Sequence, residues 1–357
     1  MDREHEIDIL RRLLDLHELR RRPLVAGLSC DLPGSGSYFT ADLGTVPVLL
    51  VRGADGRVRA FLNACRHRGS AVAYGRGEIA TTFTCRYHGW SYDQSGKLVG
   101  QPLARGAFDG LDGCTSLIEL RCAEDCGVII VSVDPTAQPI GVRAELAGYA
   151  SELESYGFGS YRLVGEQQAT WPFNWKLGLE TFLEAYHIFS LHRETLARQL
   201  KSAPMISEFS GPHGRGVVMG NKCVDLLGRP PSEWTRFERA TFVYWLFPNV
   251  VLSLPRSGHV ELWHFVPADG RPDMSRVSVR FYAAPSAPQA DEFWQRLIAF
   301  TMSVVDAEDF HQQTLIQRNV SSGLLSETVF GRNEPAMIHF HEQLDLVLGT
   351  SGATVGA

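Results

Sequence analysis

The 357-residue chain has no run of 18 apolar residues, and so no stretch suited to a membrane-crossing helix. Its first residues, Met1-Asp2-Arg3-Glu4-His5-Glu6, are charged and lack the apolar core of a secretory signal. These two absences predict a soluble, cytoplasmic protein that does not engage a membrane. A basic stripe is missing as well: the formal charge is −6, so no nucleic-acid partner is implied. No Gly-x-Gly-x-x-Gly follows a strand-like run, which removes the usual fingerprint of a nicotinamide or flavin dinucleotide site. Repeats and low-complexity tracts are not visible. Cysteine is sparse, seven in all, and Cys30, Cys114, Cys122, Cys126 and Cys223 show no spacing that demands a bridge. In a reducing compartment these five read as small buried hydrophobes. What is left is an ordinary composition, 44% apolar and 21% charged, on a chain long enough for two domains.

The remaining two cysteines stand in an unusual setting. Cys65-Arg66-His67 is followed after 17 residues by Cys85-Arg86-Tyr87-His88, so each short segment offers one thiolate and one imidazole. A Cys2His2 zinc finger groups its cysteines apart from its histidines. A Rieske [2Fe–2S] centre needs two Cys on one iron and two His on the other, and two loops that each give one of each meet that demand. Gly69 and Gly89 follow the ligand segments and would let backbone N–H groups approach cluster sulfurs closely. Zinc, or buried structural Cys and His, are the competing readings.

Hydrophobic periodicity divides the chain. Ile7, Leu10, Leu13, Leu14 and His17 recur at helical spacing, and Arg20-Arg21-Arg22-Pro23 closes a helix expected over 4–21. Beyond residue 24 short strands and turns take over. Val46–Val51 and Val58–Leu62 flank Gly53-Ala54-Asp55-Gly56 as a hairpin, and Val128–Val133 reads as a buried strand. This suits a small antiparallel β-sandwich. A Pro-containing connection and a helical segment over 136–160 lead out of it. Trp175 opens a helix expected to reach Leu191. Four β-rich runs, Phe242–Phe247, Val250–Leu254, Val260–Phe265 and Val277–Tyr282, then precede a long helix from about 289 to 317. The fold class is therefore α+β: the sandwich plus a second, α/β domain of antiparallel sheet and long helix. The boundaries expected are 1–23 for the N-terminal helix, packed on the second domain, then 24–140 and 141–357.

The helix after Trp175 carries Glu180, Glu184, His187 and His192. Two His and a carboxylate with open positions suit a non-haem Fe(II) site. On an ideal helix, however, residues five apart point about 140° away from each other. His187 and His192 share a metal only if the helix ends, bends or bulges between Ile188 and Leu191. Otherwise they are surface or core histidines.

Cys65-Arg66-His67-Arg68-Gly69, Cys85-Arg86-Tyr87-His88-Gly89-Trp90, Asn174-Trp175-Lys176 and Glu184-Ala185-Tyr186-His187 with His192 together resemble the Rieske non-haem iron oxygenase (ring-hydroxylating oxygenase) α subunits, from about residue 24 onward. Ser70 and Tyr87 stand where respiratory Rieske proteins carry a disulfide, so the resemblance is to the oxygenase or ferredoxin type. It implies a [2Fe–2S] cluster on Cys65, His67, Cys85 and His88, a helix-grip-like second domain, and a mononuclear Fe(II) on His187, His192 and a downstream carboxylate. Asp309, ahead of Gln317-Arg318, is the match, with Glu308 and Asp306 close enough to be confused with it. In the family the acidic residue at position 184 links the Rieske His of one subunit to the iron-ligating His of the next, which would join His88 to His187 through Glu184. Glu for the common Asp, and Thr181 for a common Asn, are departures.

The resemblance further implies O2 and a small organic, aromatic substrate, electrons from a separate NAD(P)H-dependent reductase with or without a ferredoxin, and a homotrimer. The outcome would be monohydroxylation, cis-dihydroxylation or oxidative demethylation. Phe247, Trp245 and Phe265 are candidates both for the pocket and for core packing. The rival reading is a Rieske electron-transfer protein with a non-catalytic second domain.

Overall fold

In the computed structural model the described residues are 20–348, apart from 104–105, 107, 109–114, 135, 202–203, 222, 224–227, 231–239, 256, 269, 289 and 326. The helix expected over 4–21, and its packing on the second domain, lie outside them except for Arg20 and Arg21, which are helical.

Leu19–Ser160 forms one compact unit, and the chain from Tyr161 belongs to another. In the first, β1 (Leu24–Leu28), β2 (Ser37–Leu43), β3 (Val46–Arg52), β4 (Val58–Leu62), β5 (Arg76–Glu78), β9 (Glu119–Asp125) and β10 (Val128–Ser132) make an antiparallel sheet in the order β1-β10-β9-β4-β3-β2-β5. The short strands β6 (Thr82–Thr84), β7 (Ser91–Asp93) and β8 (Leu98–Gly100) make a second sheet. The period of two along a strand sorts side chains into two cores. Val48, Leu50 and Ala60 join Phe39 and Ile129 in one. Leu49, Val51 and Phe61 enter the other, which also holds Cys65, Cys85, Trp90 and Tyr92. The hairpin expected between β3 and β4 is present, with Gly53 N donating to Arg57 O and Gly56 at φ +78°.

The sequence placed the end of this unit at residue 140, whereas the compact unit runs to Ser160. Residues 141–160 return to the β9–β10 hairpin. Arg143 pairs with Asp125 at 3.0 Å, and Phe158 is fully buried against Gly127, where an added Cβ would meet Phe158 Cβ at 3.0 Å. Gly127 N-terminally adjoins β10 and its carbonyl accepts Ser29 N, so the closing segment packs on the sheet it follows.

The second unit is built on β11 (Arg162–Trp171), β12 (Ile206–Ser210), β13 (His213–Met219), β14 (Ala240–Leu246), β15 (Val250–Leu254), β16 (His259–Ala268) and β17 (Arg271–Ala283). These form one antiparallel sheet in the order β11-β17-β16-β15-β14-β13-β12, which contains the four β-rich runs read from sequence. Every residue of β16 is buried, as befits a central strand covered on both faces. The expected long helix is present but not uniform. An α-helix over Asp291–Val304 passes into a π-helical turn over Val305–Asp309 and continues as an α-helix over Phe310–Ser321.

The helix expected from Trp175 to Leu191 is shorter. It spans Trp175–Glu180, and a 3-10 turn over Tyr186–Phe189 follows a gap. Asn174 caps its start by accepting from Lys176 N at 2.9 Å, and Gly178 lets it lie on Phe173 and Phe265, where a Cβ would come within 2.9 Å of both rings. The break comes earlier than the one expected between Ile188 and Leu191. Beyond it the Glu184 carboxylate accepts Tyr186 N and His187 N and so caps a new turn instead of prolonging the helix.

Candidate metal centres

In the first unit the two Cys/His segments close into matching turns. Gly69 N donates to Cys65 O and Cys65 N to Ser70 O, each at 2.8 Å; Gly89 N donates to Cys85 O at 3.0 Å and Cys85 N to Trp90 O at 2.8 Å. Both glycines have left-handed φ, +76° and +73°. Their own N–H groups close the turns on the Cys carbonyls. Cys65 and Cys85 are buried, His67 is half-buried and His88 is exposed. The two imidazoles meet with Nδ1 atoms 3.1 Å apart, and His67 stacks on Trp90. Local desolvation and the charges of His67 and Arg68 hold His88 below the usual imidazole value. Tyr92 Oη lies 3.2 Å from Cys65 Sγ and accepts Arg66 N at 3.0 Å. Asn63, which sequence reasoning passed over, is buried behind the first turn. It accepts from Val72 N and Ala73 N and donates to Ala73 O, fixing the chain on the far side of the loop.

Two thiols inside and two imidazoles outside, with nitrogens aimed at each other, fit a cluster with unlike irons. Two facing Nδ1 atoms can share at most one hydrogen between them, and a metal edge satisfies both lone pairs.

In the second unit the 3-10 turn brings His187 to His192, with ring centroids 5.0 Å apart, and the π-helical turn brings Asp309 to both. Ligand atoms of His187, His192 and Asp309 lie within 4.8 Å of one another. Asp309 Oδ1 is 3.0 Å from His192 Nε2 and 3.6 Å from His187 Nε2, yet it is buried without a hydrogen bond of good geometry. An unsatisfied buried carboxylate oxygen facing two Nε2 atoms fits a cation between them.

The opposite nitrogens are held by other carboxylates. Glu184 Oε1 contacts His187 Nδ1, and Glu308 Oε2 lies 2.5 Å from His192 Nδ1 while accepting Thr195 Oγ1 at 2.8 Å. Burial alone would raise the Glu184 carboxyl; the bonds from His187 and the Tyr186 and His187 amides outweigh it and hold the pKa low. Burial likewise pulls His192 down, but Asp309 and Glu308 outweigh it and leave its pKa raised. Glu308 thus touches the far side of an imidazole, apart from the cluster of His187, His192 and Asp309. Asp306, the third neighbouring carboxylate, has its pKa raised by burial and is no part of that cluster. Gln317, near the end of the motif, accepts Asn174 N at 2.8 Å, and Gln313 donates to Thr181 Oγ1 at 2.9 Å, tying the long helix to the Trp175 helix.

Two cavities meet at this cluster. One of about 630 Å³ opens toward the sheet and is lined by apolar side chains such as Phe182, Trp263 and Phe300. The other, about 670 Å³, lies toward the helices around Gln312 and His341. Both share Thr181, Glu184, His187 and Asp309. Phe247, Trp245 and Phe265 line neither; they are buried against Phe340, Phe209 and Phe173–Gly178, and Phe265 packs behind the cavity-lining Phe182 and Trp263.

A cluster loop pair of mixed Cys and His, together with a His-His-Asp site on a helix-covered antiparallel sheet, defines a Rieske-type iron oxygenase. Residues 22–115 match the Rieske [2Fe-2S] domain and residues 158–350 the ring hydroxylating alpha subunit (catalytic domain). The chain belongs to the family of ring-hydroxylating oxygenase α subunits, with a [2Fe–2S] centre and a mononuclear iron. It is 28% identical over 352 residues to the biphenyl 2,3-dioxygenase α subunit of Rhodococcus jostii, covering 87% of this chain and 71% of that one. It is 32% identical over 262 residues to the glycine betaine monooxygenase oxygenase subunit of Chromohalobacter salexigens, covering 72% of this chain and 55% of that one. The chain thus spans about half the length of the glycine betaine relatives it matches. Among solved structures, a quaternary ammonium Rieske monooxygenase with a bound inhibitor superposes with a TM-score of 0.79 at 18% identity, covering 95% and 92% of the two chains. Naphthalene 1,2-dioxygenase from a Rhodococcus species gives 0.76 at 21%, covering 97% and 93%. These two likenesses establish the fold.

Proposed function

We propose that this chain is the oxygenase component of a multicomponent system, holding its cluster on Cys65, His67, Cys85 and His88 and its Fe(II) on His187, His192 and Asp309. Cluster electrons come from a separate NAD(P)H-dependent reductase, directly or through a ferredoxin. The observation that carries the reading is the arrangement of the two imidazoles: each turns Nε2 to Asp309 and has Nδ1 held by its own carboxylate, Glu184 or Glu308. Carboxylates in that position fix ring orientation and raise ligand basicity.

When bound, the cluster supplies single electrons and the ferrous ion supplies the place where O2 is activated. The chain's own residues do the rest. Glu184 and Glu308 hold the Nδ1 protons of His187 and His192, so both rings present a lone pair at Nε2. Phe182, Trp263, Phe300 and Leu297 give the sheet-side cavity apolar walls, which favour an aromatic body and displace water from it. Relatives named for biphenyl or chlorobenzene dioxygenation, and others for glycine betaine or carnitine monooxygenation, support an oxygenation of one of these kinds. In the homotrimer we envisage, Glu184 links His88 of one chain to His187 of its neighbour.

Glu184→Gln tests that link. It keeps approximate size and removes the negative charge. Both metal sites should stay occupied and the cluster reducible, while single-turnover stopped flow should show cluster reoxidation by substrate and O2 sharply slowed. A wild-type reoxidation rate would mean that electrons take another route.

A further inference from the structure

The sheet-side cavity contains a polar array that the metal centre does not use. Along β16, residues 259, 261 and 263 point to the same face, as alternation requires. There His259 Nε2 lies 2.9 Å from Glu261 Oε1, and Trp263 Nε1 donates to Glu261 Oε2 at 3.1 Å. Ser257, in the turn that enters β16, places Oγ 2.7 Å from His259 Nδ1. Strand register sets Ser253 of β15 directly beside Glu261, with Val243 and Phe281 as the next neighbours in that row. A carboxylate, an imidazole and a hydroxyl therefore occupy the middle of an otherwise apolar sheet face, and Glu261 is 6% exposed. Burying a carboxylate costs several kcal/mol in order of magnitude, and well-packed apolar residues would commonly serve stability as well or better. Phe281 and Trp294 flank the His259 ring and fix its plane.

Ser253, Ser257, His259 and Glu261 all line the cavity that also reaches His187, His192 and Asp309. Its lining includes no Lys or Arg among the described residues, and Glu184 and Asp309 are engaged with the histidine cluster, which leaves Glu261 as the lining carboxylate outside that cluster, each of its oxygens keeping a second lone pair beyond the bonds to His259 and Trp263. An ionised carboxylate only accepts, so in the neutral ring His259 Nε2 carries the proton and Nδ1 takes that of Ser257. Ser257 Oγ then turns lone pairs toward the cavity, beside those of Glu261.

We propose that Ser257, His259 and Glu261 form a recognition site for the polar head of the substrate, and that this head donates hydrogen bonds. The substrate class is an apolar, aromatic body bearing an ammonium or hydroxyl group, held so that the body reaches toward the histidine cluster. Anionic heads are disfavoured, because no cationic side chain among the described lining residues compensates a carboxylate set beside Glu261. His259 acts as a positioning residue that orients Ser257 and Glu261. This rests on the reading of the cavity as the substrate chamber.

Calorimetric binding of toluene, benzyl alcohol, benzylamine and benzoate to the anaerobic holoenzyme tests the proposal, since the four probes share a ring and differ in the head. At least one donor-bearing probe should bind roughly tenfold more tightly than toluene, with benzoate weakest. Benzylamine ahead of benzyl alcohol would assign the head as ammonium, and the reverse as hydroxyl. Glu261→Gln should abolish the advantage of the charged head, and Ser257→Ala, a milder change at an exposed turn, should reduce donor binding while leaving toluene unaffected. Wild-type protein that binds neither donor more tightly than toluene, benzoate as the tightest probe, or a donor preference kept in both variants would overturn the assignment. Iron and sulfide content judges the metal reading separately.

Discussion

Glu308 and Asp309 are adjacent in sequence, and the sequence could not separate them because either carboxylate fits a ligand position. Geometry does: Asp309 approaches the Nε2 atoms of both histidines, whereas Glu308 reaches only the Nδ1 of His192. Asp309→Ala should therefore abolish mononuclear iron, while Glu308→Ala should weaken iron binding by about 10- to 100-fold, the usual effect of removing a carboxylate behind a ligating imidazole. Iron titration of cluster-loaded protein checks both; equal loss in the two variants would contradict the division. The cysteines outside the cluster loops behave differently. Desolvation, aided by Glu124 and Glu119, pushes the Cys122 thiol up to about 12. It should resist iodoacetamide at about pH 8, where an ordinary thiol is substantially ionised; ready labelling seen by mass spectrometry would contradict that. Asn63 was not singled out because a buried amide acts through backbone partners that no local pattern announces.

Among the elements, strands were the most legible. Alternation and β-branched runs located the central strands of both sheets, because burial of a strand is written in consecutive residues. The helix after Trp175 was read too long, since helical spacing of apolar residues continues past Glu180 while a side chain, Glu184, caps a new turn beyond it. The π-helical turn at Val305–Asp309 is equally silent in sequence, yet it sets two consecutive carboxylates on one imidazole. Asn174 governs the start of the Trp175 helix, capping Lys176 N and donating to Pro272 O at 2.6 Å. Asn174→Ala should cost about 1–2 kcal/mol in denaturant unfolding of the second unit. The ligand turns depend on left-handed glycines in the same way. Gly89→Ala should be worse than Gly69→Ala, because its Cβ would meet Pro102 Cγ at 2.9 Å whereas Gly69 has open space. Comparable melting temperatures for the two variants would count against that ordering.

At the scale of the whole molecule, two compact units each gather a candidate metal-binding set from separate segments. The first draws on two loops 17 residues apart, close enough to be recognised as a pair. The second joins His187 and His192 to Asp309, more than a hundred residues away, and only the family motif linked them before the sheet and helices were placed. The switch between units at Ser160 escaped the sequence because 141–160 carries no strand pattern of its own, and its allegiance is set by Phe158 and Arg143. A chain carrying both centres should hold about three iron and two sulfide, against two and two for an electron-transfer protein and zinc for a structural module. The most direct measurement compares iron, sulfide and the EPR spectrum of the reduced cluster in the wild type and Asp309→Ala. The account predicts about three iron and two sulfide per chain in the first, about two and two in the second, and the same Rieske spectrum in both. A wild-type chain with only two iron, or an Asp309→Ala chain that keeps the third, would contradict it.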